Sequence, residues 1–185
     1  NVGWINYDLI NEPSYAPQNN IWKNIPVGDS FEREAWTNWV TKKLGNNVSV
    51  IQNKWHDAQG DVFNPPSYGD LFYEMYKDSR RPRKGMDFNL FTQDVAKNWA
   101  QTLNNSIKAN SNALVTLGQD EGGTEKRPAP QFIYPALDYT AVHTWWLNDN
   151  VMWDQLMTKV PEKANLTSET GLMRFEDTYG EILRS

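Results

Sequence analysis

Four short apolar segments alternate with longer helical patterns along this chain, and this alternation constrains its fold more than any other feature. The segments are rich in β-branched and aromatic residues, as strands are. They lie at 4–10, 112–118, 138–145 and 164–169. The stretches between them are far longer than hairpin turns, and strands joined by such connections run parallel. The sequence therefore predicts an α/β protein with a parallel sheet.

The clearest helical pattern covers residues 87–110. Its large apolar residues recur at steps of three or four, which predicts one buried face. They are Phe88, Phe91, Val95, Trp99, Leu103 and Ile107. A second helix is predicted over 31–44, with Asp29 as its N-terminal cap and Gly45 at its end. Weaker helical patterns cover 48–56, 67–78, 150–158 and 175–184.

Composition excludes several classes of function. The net charge of -5 argues against nucleic acid as a partner, and the one basic run, at 80–84, is predicted to be a solvated loop. No apolar run approaches the roughly 18 residues of a membrane span, so no membrane partner is expected. The chain has no cysteine, which excludes disulfides, thiolate nucleophiles and cysteine-based metal sites and leaves the compartment open.

The first strand segment runs directly into Asn11, Glu12 and Pro13. A buried strand has no structural use for an unpaired carboxylate, because desolvating a charge is costly. Pro13 bars continuation of a helix or ladder and favours extended backbone at Glu12. These polar side chains are therefore predicted to lie in a site at the mouth of the strand.

Other polar residues follow the remaining strands in the same way. Gln119, Asp120 and Glu121 follow the second strand, while His143 and Glu169 stand at the ends of the third and fourth. The carboxyl ends of parallel strands meet at one edge of a sheet, and in a (β/α)8 barrel that edge is the active face. The sequence therefore predicts one shared site.

Aromatic residues are abundant, with nine Trp, eight Tyr and seven Phe. Sugar rings stack their C–H faces on such side chains, so this composition together with strand-end Asn-Glu favours carbohydrate as the ligand. Trp145 and Trp146 stand at the end of the third strand segment. Their rings could either stack against a sugar or pack inside a barrel. Alternation along a strand sends them to opposite sides, so at most one is expected to face a pocket.

Glu12 and Glu169 form a pair suited to glycoside hydrolysis. In such a pair one carboxyl group protonates the leaving oxygen, and the other attacks the anomeric carbon or activates water. The ionised partner disfavours a second negative charge nearby, which keeps the acid protonated. Two unrelated surface glutamates are the alternative interpretation, and Glu121 is the rival carboxylate.

The segment "LINEPS", followed far downstream by "LTSETG", resembles the clan A glycoside hydrolases, which are retaining TIM-barrel enzymes. The resemblance implies that Glu12 ends strand 4 as the acid/base, that Asn11 holds the substrate's 2-hydroxyl, and that Glu169 ends strand 7 as the nucleophile. "DYTAVHTWW" is similar to the strand 6 segment, where His143 would orient the nucleophile or touch the sugar. The segments around 31–57 and 87–107 also resemble the insert and helix 4 of β-galactosidase-like members.

The resemblance implies a fold for the whole chain. Residues 1–185 are expected to form the C-terminal portion of a TIM-barrel catalytic domain, roughly strands 4–7 of a (β/α)8 barrel. Residues 13–86 are expected to be a long insert on the active face after strand 4. The chain opens at Asn1 close to a strand, and the remaining barrel strands are expected from the same or a companion chain.

The implied function is a retaining glycoside hydrolase that cleaves β-linked glycosides by double displacement, with a carbohydrate substrate and no cofactor or metal. Such polysaccharide degradation would suit a secreted or periplasmic protein. The predicted substrate-binding residues are Asn11, His143, Trp145, Trp146, Gln119 and Glu121. One alternative is a non-catalytic carbohydrate-binding barrel fragment. Another is a metal-dependent barrel hydrolase that uses Asp120, Glu121 and His143.

Overall fold

A computed structural model of the chain describes residues 6–13, 30–66, 83–120, 133–145, 156 and 158–171. The four strands are β1 (Asn6–Asn11), β2 (Leu114–Asp120), β3 (Thr140–Trp145) and β4 (Asn165–Gly171). The helices are α1 (Ser30–Leu44), α2 (Val48–Trp55) and α3 (Arg83–Lys108), and a 3-10 turn covers Tyr134–Ala136. None of the helices in these ranges is long and apolar enough to cross a membrane.

The strands form one parallel sheet in the order β1-β2-β3-β4. The predicted α/β class and the predicted parallel sheet are therefore confirmed. The pairing aligns Tyr7 with Val115 and His143 with Glu169, and the register shifts between Asp8 and Asn11. Since all four strands run the same way, their carboxyl ends lie at one edge of the sheet.

The prediction that all four strands are buried is wrong for β1 and β4. Strands β2 and β3 are buried, with Val115 and Val142 fully inaccessible, whereas Tyr7 on β1 and Leu166 on β4 are each 45% exposed. The reason lies in the order of the sheet, because among the described strands β1 and β4 each have one strand neighbour. Edge strands lack the second neighbour that covers a central strand.

Helix α3 begins before the predicted residue 87 and buries two different faces along its length. Phe88 and Phe91 are buried as predicted, but Val95 and Trp99 are each 37% exposed. The second half of α3 buries Ala96 and Ala100 in a cluster with Val115 and Leu117 of β2, and Ile107 of the predicted stripe packs against the same cluster. Small side chains allow close approach of a strand, so a prediction based on the largest residues finds only part of this face and omits the two alanines.

The basic run predicted to be a solvated loop contributes residues to a helix instead, because Arg83 and Lys84 open α3. The Lys84 ammonium donates a hydrogen bond to the Asp61 carbonyl at 2.6 Å and lies 5.7 Å from the Trp55 ring centroid. Burial lowers the pKa of Lys84, although Asp57 and Asp61 act in the opposite direction. Lys84 is therefore a packing residue.

Two predicted features of the smaller helices are confirmed. Helix α1 ends at Leu44, and Gly45 follows with φ of +88°, the left-handed backbone that glycine adopts without penalty. Helix α2 matches the predicted 48–56, and the Asn47 side chain caps it by accepting a hydrogen bond from the Val50 amide. Asp29 and the helices predicted at 67–78 and 175–184 lie outside the described residues, as does nearly all of 150–158.

The chain divides into two compact units, one formed by residues 1–15 and 93–185 and the other by residues 16–92. The sheet belongs to the first unit. The second unit contains nearly all of the predicted insert and has an aromatic core of its own. The buried members of that core are Trp36, Val40, Ile51, Trp55, Val62, Phe88 and Phe91.

Trp36 is the centre of this aromatic core. It is fully buried, and its ring centroid lies 5.6 Å from that of Trp39 and 6.0 Å from that of Trp55. Its indole N–H donates a hydrogen bond to the Val62 carbonyl at 3.1 Å. We expect Trp36→Ala to lower the free energy of unfolding by about 3–5 kcal/mol, because it leaves a large cavity. Urea denaturation followed by circular dichroism measures this change.

Phe31 offers a matched control on the same helix, since it is 80% exposed. Phe31→Ala should change the free energy of unfolding by less than about 0.5 kcal/mol. Similar losses in the two variants would contradict the assignment of Trp36 to the core.

Candidate active site

Glu12 follows β1 directly and has a left-handed backbone, with φ of +48°. The prediction that Pro13 holds Glu12 in extended geometry is therefore wrong. The reason is a tertiary hydrogen bond, in which the Glu12 amide donates to the Gly118 carbonyl of β2 at 2.8 Å. A non-glycine residue in this conformation costs of order 1–3 kcal/mol, and such residues cluster at functional sites.

His143 lies on β3 and is 1% exposed. Its Nδ1 atom lies 2.8 Å from Oε1 of Glu12, a direct hydrogen bond. The same nitrogen lies 3.5 Å from Oε2 of Glu169 on β4. A single buried ring nitrogen therefore faces both glutamates that were predicted to carry the chemistry.

The two glutamates are close to each other as well as to the histidine. One ligand atom from each of Glu12, His143 and Glu169 lies within 4.8 Å of the other two. The side chains of Glu12 and Glu169 are 28% and 43% exposed, whereas His143 is buried beneath them. A ligand arriving from solvent can reach both carboxylates.

Two further described residues lie near the His143 ring. Asp8 of β1 accepts a hydrogen bond from the Gly118 amide through Oδ1 at 2.9 Å. A Cβ added to Gly118 would lie only 2.6 Å from Nε2 of His143 and 2.9 Å from Oδ2 of Asp8. There is therefore no room for a side chain at position 118, because any residue larger than glycine would displace the buried His143 ring.

Sequence reasoning missed both Asp8 and Gly118. The available signals were a carboxylate inside an otherwise apolar strand and a glycine inside another strand, which often marks close approach of other groups. Neither signal identifies His143, which lies far from Asp8 in the sequence, as the neighbouring side chain.

The other predicted binding residues are described in part. Asn11 ends β1, is exposed, and pairs in register with Gly118. Gln119 lies on β2 opposite Val142, and the backbone of Trp145 ends β3, with no description of either side chain. Trp146 and Glu121 lie outside the described residues. Contacts of these five residues with a sugar remain predictions.

The same three side chains have the donor types and spacing of a metal site. Carboxylate oxygens and an imidazole nitrogen within 4.8 Å of one another suit a divalent cation such as Zn²⁺ or Mn²⁺. The predicted metal set of Asp120, Glu121 and His143 is different. Of that set, only His143 has a described side chain, and Asp120 is placed through its backbone opposite His143.

No protein-family model, curated protein sequence or solved structure matches this chain.

Proposed function

We propose that this chain carries the catalytic pair of a retaining glycoside hydrolase, with Glu12 as acid/base and Glu169 as nucleophile. The observation that carries the proposal is the approach of Glu12, His143 and Glu169 to within 4.8 Å. Retaining enzymes keep their two carboxyl groups roughly 5–5.5 Å apart, whereas inverting enzymes need about 6.5–9.5 Å to admit a water. The spacing favours retention.

In the first step, the Glu169 carboxylate attacks the anomeric carbon and forms a glycosyl ester while the glycosidic C–O bond breaks. Glu12 gives its proton to the leaving oxygen. In the second step, Glu12 takes a proton from water, the water oxygen attacks the anomeric carbon, and Glu169 leaves as a carboxylate. Atoms and charges balance across the two steps, and neither step needs a cofactor.

His143 has an orienting role in this proposal. Its Nδ1 contact with Oε1 of Glu12 restricts rotation of that carboxyl group, and the 3.5 Å approach to Glu169 does the same for the nucleophile more weakly. Because the ring is buried, protein atoms surround it before any substrate binds. Such preorganisation lowers the cost of reaching the transition state.

The proposal also assigns the four strands to a (β/α)8 barrel. Four parallel strands in consecutive order, with functional side chains at their carboxyl ends, are what strands 4–7 of a (β/α)8 barrel require. The exposed faces of β1 and β4 would then be covered by the remaining strands of the barrel, from the same or a companion chain. Residues 13–86 would be the insert on the active face.

A mechanism-based label tests the function. We expect a panel of 2-deoxy-2-fluoro aryl β-glycosides with good leaving groups to include one that inactivates the protein over time. The fluorine destabilises the cationic transition states, and the leaving group keeps the first step the faster one, so the glycosyl ester accumulates. Peptide mass spectrometry should find the added sugar on Glu169. A label on Glu121, or turnover without any label, would contradict the assignment.

A metal-dependent hydrolase is the second candidate, because Glu12, His143 and Glu169 also fit a cation. Dialysis against EDTA separates the two. A retaining glycosidase keeps its activity after dialysis, while a metal hydrolase loses its activity and regains it with Zn²⁺ or Mn²⁺. A carbohydrate-binding fragment would bind sugar in calorimetry and neither cleave it nor take up the label.

A further inference from the structure

His143 has one ring nitrogen whose role the catalytic proposal leaves unexplained. Nδ1 faces the glutamates, but Nε2 is completely buried and has no hydrogen-bond partner among the described atoms. A buried polar atom without a partner costs about 1–3 kcal/mol, so a native protein rarely retains one without a reason.

A carboxylate oxygen of Asp8 lies near Nε2. Nε2 of His143 and Oδ2 of Asp8 lie 2.6 Å and 2.9 Å from the same point, the position that a Cβ on Gly118 would occupy. The absence of a side chain at 118 therefore leaves both atoms facing one small space. Asp8 is held beside that space because its other oxygen accepts the Gly118 amide at 2.9 Å.

An ionised carboxylate only accepts hydrogen bonds, so it favours a proton on the ring nitrogen that faces it. A lone pair on Nε2 facing Oδ2 would be repelled, whereas an N–H at Nε2 would be stabilised. The negative charge of Asp8 also acts on Tyr139: burial raises the pKa of its phenol first, and Asp8 and Asp138 add to that shift. Glu12 and Glu169 face the ring from the Nδ1 side.

We propose that Asp8 is a positioning residue that keeps a proton on Nε2 of His143 and thereby fixes the tautomer and orientation of the ring. With Nε2 protonated and turned towards Asp8, Nδ1 stays directed at the glutamates. The kinetic consequence of this arrangement rests on the proposed function, but the position of the proton does not.

The position of the proton can be measured directly. The chain has only two histidines, His56 and His143, so ¹⁵N-histidine labelling gives two sets of ring signals, and the His56→Gln variant assigns them. We expect the His143 signals of the unmodified protein to show Nε2 protonated. An unprotonated Nε2 in the unmodified protein would overturn the proposal without any Asp8 variant having to fold.

Asp8→Asn gives a sharper test, because it replaces a group that only accepts hydrogen bonds by one of the same size that can also donate them. The carbonyl oxygen of the introduced carboxamide can still accept the Gly118 amide, while its NH₂ group turns a donor towards Nε2. We expect the proton to move to Nδ1 and kcat/KM on an aryl β-glycoside to fall roughly tenfold to a hundredfold, as for other residues that orient a functional group. Lost activity with the tautomer unchanged would overturn the proposal.

Asp138→Asn is the matched control. Asp138 also accepts an amide hydrogen bond from β2, at Val115, with a distance of 2.7 Å, and it pairs with Lys108. This variant should leave the His143 ring signals unchanged. If the unmodified protein shows Nε2 protonated and cleaves no glycoside, the proposed function fails and the assignment of Asp8 stands. If the unmodified protein cleaves glycosides while Nε2 is unprotonated, the assignment of Asp8 fails and the proposed function stands.

Discussion

Glu169→Ala is expected to lower kcat on every β-glycoside by roughly 10⁴-fold or more, because no group remains to form the covalent intermediate. Activating the leaving group should not restore the rate, since the missing element is the nucleophile. The side chain of Glu169 is 43% exposed, so small anions from solvent can enter the space that the carboxylate leaves. Initial rates on a natural and on a dinitrophenyl glycoside measure the loss.

Added azide gives the sharper measurement for Glu169→Ala. Azide can attack the anomeric carbon from the face that Glu169 occupied, so the product should be a glycosyl azide of inverted configuration. Glu34→Ala is the control, because Glu34 is an exposed glutamate on α1 and should leave the rate unchanged. Retention of configuration in the azide product would remove Glu169 from the role of nucleophile.

Glu12→Ala is expected to fail differently. General acid catalysis contributes about 10²–10⁴-fold, and that contribution matters most when the leaving group is a poor one. Natural substrates should therefore lose most of their turnover, while a dinitrophenyl glycoside should form the glycosyl-enzyme almost normally. Hydrolysis of that intermediate then limits the rate, and a burst of dinitrophenol should appear in stopped-flow traces.

Added azide also tests the role of Glu12 as acid/base. In Glu12→Ala it should accelerate turnover by attacking the glycosyl-enzyme without base assistance, and the product should have retained configuration. Opposite stereochemistry in the two variants is the specific signature of the proposed division of labour. Equal losses on natural and activated substrates in both variants, with no azide effect, would refute it and direct attention to Glu121.

Local patterns in the sequence predicted the strands and the edge of the sheet at which Glu12, His143 and Glu169 meet. Short apolar runs separated by long connections predicted a parallel sheet, and the four described strands form one. Polar residues that end such runs predicted that Glu12, His143 and Glu169 share one edge, and the structure brings these three together. These features are local, since alternation and strand ends can be found in a few neighbouring residues.

Which apolar residues are buried depends on how the elements pack together. The apolar residues of β1 looked like those of β2, but Tyr7 is exposed and Val115 is not, because β1 lies at the edge of the sheet. Along α3, the two alanines that contact the β2 cluster are smaller than the exposed Val95 and Trp99. Periodicity indicates that a helix has a face, whereas the packing partner decides which face is buried.

The details of the site depended wholly on tertiary contacts. The backbone of Glu12 is left-handed because its amide donates a hydrogen bond to the Gly118 carbonyl, although Pro13 favours extended backbone at this position. The hydrogen bond between Glu12 and His143 joins residues 131 positions apart, and Asp8 reaches the Gly118 amide across 110 positions. A strand-end motif can predict which residues reach the site, but the orientation of a buried ring is set by groups that only the folded chain brings beside it.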